Sequence, residues 1–377
     1  MKIICDSKIP FIKGVLEPYA EVVYLPGKET TAADVADADA LITRTRTICN
    51  EALLKGSRVK VIATATIGYD HIDTAWCDAN GIAWENAPGC NSWSVEQYIC
   101  SVLCTLAGRL HLDFEDTTLG VVGVGNVGSK VARAARILGM KVLLNDPPRA
   151  RKEGPGAFVS LDEIIEKADI ITLHVPLSAE GPDPTRHLFD SERMARLRPG
   201  QILINSSRGP VVEGEAFKRA LRERRIRAGV LDTWENEPRP DPELLGEVAV
   251  ATPHIAGYSA DGKANGTAAS VRTVSRHLGL PLADWRPETV PSPPQSIDFK
   301  LDASGKTRQE VLSEAVLHTY DVMEDDARLR ANPELFEKLR GDYPVRREFS
   351  AFTVRLSGAT PEEEQALEDL GFSVNRQ

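Results

Sequence analysis

The sequence predicts an α/β protein with two doubly wound, parallel-sheet domains and a small α+β domain at its carboxyl end. Three observations lead there. Short β-branched runs alternate with helix-forming segments in two successive series. A glycine-rich turn at 123–128 joins a strand to a helix at the start of the second series. Five prolines between 281 and 294 then set off a tail of different pattern. At 377 residues the chain is too long for one ordinary core, which fits this division.

The first series holds the apolar runs Ile3-Ile4, Glu21–Tyr24, Ala40–Ile42 and Val59–Ile62. From Trp93 to Leu110 apolar residues recur at helical spacing, with no glycine or proline before Gly108, so a long helix leads out of this region. The second series places strands at Leu119–Val124, Val142–Leu144, Ile170–Leu173, Ile202–Ile204, Ala228–Leu231 and Val248–Ala251. Helices are expected between them at Val127–Leu138, Leu161–Lys167 and Glu213–Arg224. Tyr258–Leu278 reads as a helix that returns to the first region. We therefore expect a first domain of residues 1–95 and 257–285, a nucleotide domain of 96–256, and a third domain of 286–377. The tail after 297 carries 11 Lys+Arg against 17 Asp+Glu and ends strand–helix–strand, at Phe349–Leu356, Pro361–Leu370 and Gly371–Val374.

Composition narrows the function. Hydrophobic residues at 42% and charged residues at 27% describe a soluble globular chain. A formal charge of −10 argues against a nucleic-acid partner, while a local arginine cluster could still receive an anionic substrate. The six cysteines fall within the first 104 residues without a C-x-x-C pair, so neither a disulfide framework nor a metal site is expected. The start meets an acidic residue, Asp6, at once and has no long apolar run, and no stretch has the length of a membrane span. We expect neither a secretory signal nor a membrane partner, and a cytoplasmic location.

Gly123-Val124-Gly125-Asn126-Val127-Gly128 matches G-x-G-x-x-G. The first glycine permits a tight turn, the second lets backbone approach a pyrophosphate, and the third lets helix pack close to strand. A second strand follows and ends at Asp146, where a carboxylate suits a ribose hydroxyl and repels a 2′-phosphate. This context points to a Rossmann-like domain that binds NAD. Arg149 leaves NADP as the alternative.

Three more strands run into polar residues: Ile202–Asn205 into Ser206-Ser207-Arg208, Val230–Asp232 into Trp234–Glu237, and Val248–Thr252 into Pro253-His254. The carboxyl ends of parallel strands line the ligand crevice, so all three should face the cofactor. Oxidising a 2-hydroxy acid moves a hydride to nicotinamide and a proton to a base. Histidine is the residue type suited to such a base, which points to His254. Glu237 could hold its ring and stabilise its charged form. Arg208 offers a two-pronged donor to a substrate carboxylate, and Asp232 could contact the nicotinamide end. Taken singly, His254 could be a surface or capping residue and Arg208 a capping or salt-bridge residue; their joint placement after successive strands of one sheet favours the catalytic reading.

With these residues in place, the chain resembles the D-2-hydroxyacid dehydrogenase family, whose Arg in S-R-G, Glu in W-E-x-E-P and His in P-H-I-A-G are all present. Thr64-Ala65-Thr66, Ala87–Asn91, Asp146–Arg149, His254–Tyr258 and the tail's Tyr320–Asp326 and Tyr343–Glu348 resemble a branch acting on a phosphorylated four-carbon acid. That resemblance implies a homodimer formed through the tail. It also implies substrate contacts at Thr45, Thr66 and Tyr258, and cofactor contacts at Asp146, Val175 through its backbone, Ser206, Ser207, Arg208, Asp232 and Gly257. For the substrate phosphate we expect Arg44 and Arg46, which flank Thr45. Arg346 and Arg347 either reach the cleft or make surface salt bridges, and removal of 286–377 should leave a monomer. Two rivals stand beside this reading: a 3-phosphoglycerate or other 2-hydroxyacid dehydrogenase, and an NAD-sensing, corepressor-like interaction protein.

Overall fold

β1 (Lys2–Asp6), β2 (Glu21–Leu25), β3 (Ala40–Thr43), β4 (Val61–Thr64) and β5 (Ala83–Glu85) pair in parallel, in the order β2-β1-β3-β4-β5. The computed structural model describes residues 1–376. β3 and β4 are apolar at successive positions and buried along their whole length, as strands covered on both faces must be. β5 escapes the sequence reading because Ala83-Trp84-Glu85 has neither length nor a β-branched side chain. The order reverses between β1 and β3, so the loops after these strands open a crevice at one sheet edge. Arg44, Thr45 and Arg46 follow β3 directly.

The second sheet has six parallel strands: β6 (Thr118–Val122), β7 (Lys141–Asn145), β8 (Ile170–Leu173), β9 (Ile202–Asn205), β10 (Ala228–Leu231) and β11 (Val250–Ala251). Their order is β11-β10-β9-β8-β6-β7, with the reversal between β6 and β8. The glycine turn leaves β6 at that reversal, where doubly wound sheets bind their ligands. β11 is shorter than expected, because Val248 and Ala249 belong to the approach from the helix Pro242–Glu247. No helix among the described residues is long and apolar enough to cross a membrane.

The tail builds a third parallel sheet from β12 (Asp298–Asp302), β13 (Thr353–Ser357) and β14 (Ser373–Arg376), in that order. β12 alternates strictly, burying Phe299 and Leu301 and exposing Asp298, Lys300 and Asp302. The helix Arg308–Thr319 starts at a capping box in which Thr307 and Glu310 satisfy each other's backbone N–H groups.

Two compact units result, one of Met1–Asn91 with Ser259–Pro291, the other of Ser92–Tyr258 with the chain from Ser292 onward. In the second unit the helix Ser92–Leu110 is buried on nearly every face. Val95 and Leu103 from it share one apolar cluster with Val311, Leu312 and Val316 of the tail helix. The tail is thus part of the nucleotide unit's core. Removing 286–377 would bare that core, so the truncation expected to leave a monomer would also take away part of the nucleotide unit's packing.

Candidate active site

Gly123 sits at φ 85, a left-handed conformation that side chains rarely adopt, and a Cβ there would lie 2.6 Å from the His174 carbonyl oxygen and 2.8 Å from Val175 Cγ1. Val175 thus packs its side chain on the turn. A Cβ on Gly128 would fall 1.9 Å from the Gly123 carbonyl oxygen, whereas at Gly125 it would meet nothing within 4 Å. The open side of the turn is therefore at Gly125, beside Asn126 and Val127, which open the helix Asn126–Ile137 with backbone N–H groups free for an anion.

Asp146 Oδ2 accepts from the Val124 N–H at 2.8 Å, and Oδ1 caps the next helix through the Arg149 N–H at 3.0 Å. The Arg149 guanidinium is spoken for: two bonds go to Glu153, at 2.8 and 2.7 Å, and one to the Val124 carbonyl at 2.7 Å. A carboxylate with spare lone pairs and a neutralised arginine favour NAD over a 2′-phosphorylated cofactor. Asp146→Ala is expected to lower kcat/KM for NAD roughly 10–100-fold, the worth of one charge-assisted hydrogen bond. The ratio of NAD to NADP efficiency should fall with it, and an unchanged ratio would count against Asp146.

Asn205 organises the turn after β9. Its Oδ1 accepts from the Ser207 N–H at 3.1 Å and the Ser207 hydroxyl at 2.8 Å, while its Nδ2 donates to the Arg208 carbonyl at 2.9 Å. Arg208 is half-buried and donates to the Ser207 carbonyl at 3.0 Å. The next residue must be glycine, since a Cβ on Gly209 would lie 1.9 Å from the Trp234 carbonyl oxygen. This close approach brings the loop of Arg208 against the loop of Glu237.

Glu237 Oε1 accepts from the Trp234 N–H at 2.9 Å, and Oε2 lies 2.8 Å from His254 Nδ1. Burial pushes the Glu237 carboxyl up, but His254, the Trp234 N–H and the charge of Arg340 outweigh it and hold it below the ordinary carboxylate range. An ionised Glu237 makes Nδ1 the donor and leaves Nε2 as the ring's basic nitrogen. Among the described residues Nε2 has no hydrogen-bond partner. The His254 backbone stands at φ 56, held by its N–H on the Asp232 carbonyl at 2.7 Å.

Asp232 fixes the rest of that loop. Its Oδ1 accepts from the Thr252 hydroxyl at 2.7 Å and the Ile255 N–H at 2.8 Å, and its Oδ2 from the Ala256 N–H at 3.0 Å. Burial pushes its carboxyl up against the pull of His254 and these bonds. The hydroxyls of Ser206, just past β9, and Thr233, just past β10, are buried without a partner among the described residues. Orphaned polar atoms at the carboxyl ends of the strands suit a bound dinucleotide. Arg208, Asp232, Glu237, His254 and Gly257 all stand on loops at this edge of the six-stranded sheet.

In the other unit, Arg44 Nη1 donates to the Lys8 carbonyl at 3.2 Å, which ties the loops after β1 and β3 together. Thr45 is exposed. Arg46 lies against Gly27, whose added Cβ would come within 3.3 Å of Arg46 Cβ. Thr66 bonds through its hydroxyl to Thr64 at 2.8 Å and to the Gly68 carbonyl at 2.9 Å.

Arg346 departs from both expectations. It is 4% exposed, on neither the surface nor an open cleft, and Nη2 donates to Ser94 Oγ at 2.6 Å and to the Ala256 carbonyl at 2.5 Å. The sequence reading also missed Arg340, whose guanidinium lies 5.7 Å from the centre of the Tyr258 ring. Only the isolated basic residues of an acidic tail hinted at either.

Residues 103–256 match the family model described as the D-isomer specific 2-hydroxyacid dehydrogenase, NAD binding domain, and residues 293–371 match a domain of unknown function (DUF3410). An erythronate-4-phosphate dehydrogenase of Bacteroides thetaiotaomicron is 50% identical over 355 residues, covering 94% of this chain and 99% of the relative. One of Porphyromonas gingivalis is 41% identical over 380 residues, covering 99% and 100%. The structure of D-lactate dehydrogenase from Aquifex aeolicus, complexed with NAD and lactic acid, is similar with TM-score 0.62 and 26% identity, over 74% of this chain and 96% of that one.

Proposed function

The chain belongs to the D-2-hydroxyacid dehydrogenase family, and from that premise we propose that it oxidises 4-phospho-D-erythronate to 3-hydroxy-2-oxo-4-phosphooxybutanoate in pyridoxal phosphate synthesis. One observation carries the reading. The His254–Glu237 pair and the loop of Arg208 meet at the ligand edge of the nucleotide sheet, in a chain alike over nearly its whole length to enzymes named for this substrate.

When bound, NAD supplies the acceptor for the hydride leaving C2. His254 Nε2 takes the hydroxyl proton as the C2–O double bond forms. Glu237, held from both sides, keeps the imidazole turned so that Nε2 faces outward, and offsets the charge it gains. Arg208 binds the substrate carboxylate with a planar fork. Gly123, Gly125, Asn126, Val127 and Gly128 cradle the pyrophosphate, Asp146 the ribose, and Val175, Ser206, Ser207, Asp232 and Gly257 the remainder of NAD. Arg44, Thr45, Arg46, Thr66 and Tyr258 contact the phosphorylated substrate. The protein acts as a cytoplasmic homodimer joined through the tail. Six cysteines without a disulfide among the described residues suit a reducing compartment, and a sheet with two open edges, β12 and β14, suits an assembly surface.

Turnover of 4-phosphoerythronate and of 3-phosphoglycerate, followed side by side by NADH absorbance with NAD and with NADP, tests this. The four-carbon acid with NAD should give the highest kcat/KM. Preference for 3-phosphoglycerate would move the chain to another branch of the family.

A further inference from the structure

The loop of His254 is irregular backbone in a buried setting, so each of its polar groups needs a partner. The N–H groups of Ile255 and Ala256 are held by Asp232. Their carbonyls face the other way, toward the carboxyl-terminal region. Arg346 Nη2 donates to the Ala256 carbonyl at 2.5 Å and lies 3.3 Å from that of Ile255, and Ser94 Oγ adds a bond to the Ala256 carbonyl at 3.0 Å. The guanidinium rests on the Tyr320 ring, 4.4 Å from its centre. Just past the loop, Tyr258 is caught between Arg340 at 5.7 Å and the edge of Tyr343 at 5.8 Å.

We propose that the carboxyl-terminal region clamps the His254 loop, with Arg346 as a positioning residue that fixes the proton acceptor from behind. The inference rests on the reading of His254 given above. Stability alone is a poor account of Arg346. A buried guanidinium is costly, and Nε and Nη1 find no acceptor among the described residues. What it does secure is one conformation of a loop whose inner side is already tied to Asp232. The segment 254–256 is thus held between a buried carboxylate and a buried cation. This gives the region matched only to a domain of unknown function a part in the chemistry of the neighbouring domain.

The test uses the full chain. Arg346→Gln should lower kcat roughly 10–100-fold, the scale of a slight misplacement of a catalytic group, while NADH affinity by fluorescence titration stays as in the wild type. Amide hydrogen exchange at Ile255 and Ala256 should become faster in the free protein, and Arg346→Lys should restore part of both. Leu367→Ala, a core substitution on the tail helix Pro361–Leu370, supplies a destabilised control that should keep kcat and the exchange protection of the loop. Unchanged kcat in Arg346→Gln overturns the clamp, and so does an equal loss in Leu367→Ala at matched Tm. If Arg346→Gln does not fold, Arg346→Lys decides: wild-type exchange and kcat in it would equally overturn the proposal. His254→Ala separates the two ideas. Full turnover in that variant defeats the mechanism itself, whereas its loss alongside a fully active Arg346→Gln defeats the clamp alone.

Discussion

Replacing His254 by alanine is expected to lower kcat about 10²–10⁴-fold, the usual contribution of a positioned general base, while NADH still binds. The ring's Nδ1 is committed to Glu237, so Nε2 is the nitrogen left to receive the hydroxyl proton. The backbone at φ 56 is a separate demand of this site, because few residues adopt it readily. His254→Asn is therefore the better companion variant: asparagine tolerates this conformation and has no comparable base. Both variants should lose turnover alike, as measured by steady-state kinetics with fluorescence titration of NADH. A near-normal kcat in the asparagine variant would assign the proton to another group.

Glu237→Gln is expected to cost about 10²–10³ in kcat, despite matching the carboxylate in shape. The carboxylate accepts two N–H donors, one from Trp234 and one from His254. A carboxamide offers one acceptor and one donor. With its oxygen on the Trp234 N–H, its NH₂ donates to Nδ1 and turns the imidazole to the tautomer that carries the proton on Nε2, where it cannot act as the base. The imidazolium formed in turnover would also lose its counter-charge. A pH signature should accompany the kinetic one. Glu237 is held below the ordinary carboxylate range in the folded protein, so the stability it gives is present at neutral pH and above. That stability is lost as pH falls through the folded-state value. The Tm gap between wild type and Glu237→Gln should accordingly be widest at neutral pH and narrow in acid. A gap independent of pH would mean that the charge of Glu237 is not what the site uses.

Much of this was legible in the sequence, for identifiable reasons. β6, the glycine turn and the following helix announce themselves because a pyrophosphate cradle demands glycine at fixed spacing. β3, β8, β9 and β10 stand out because strands buried on both faces must be continuously apolar. Arg208, Glu237 and His254 could be picked out as candidates because each stands on the loop that follows a strand of this sheet. Contacts between distant segments were not legible. Nothing in Tyr343–Glu348 says that Arg346 turns inward to the Ala256 carbonyl, because the acceptor lies 90 residues away in the chain. The same holds for the tail as a whole: its apolar residues on Arg308–Thr319 read as the core of a separate domain, whereas they complete the packing around Ser92–Leu110.

That shared packing has a consequence for synthesis. The helix Ser92–Leu110 leaves the ribosome well before the segment that covers one of its sides, which begins at Ser292. A nascent chain that has already made all six strands of the nucleotide sheet still shows an apolar flank with nothing to seal it. Ribosome-bound intermediates of this protein thus expose a sticky surface throughout the making of the intervening polypeptide, and chaperone demand should peak there. A genetic lesion that stops translation anywhere between Tyr258 and the tail leaves a product with its cofactor motif intact and its core unfinished.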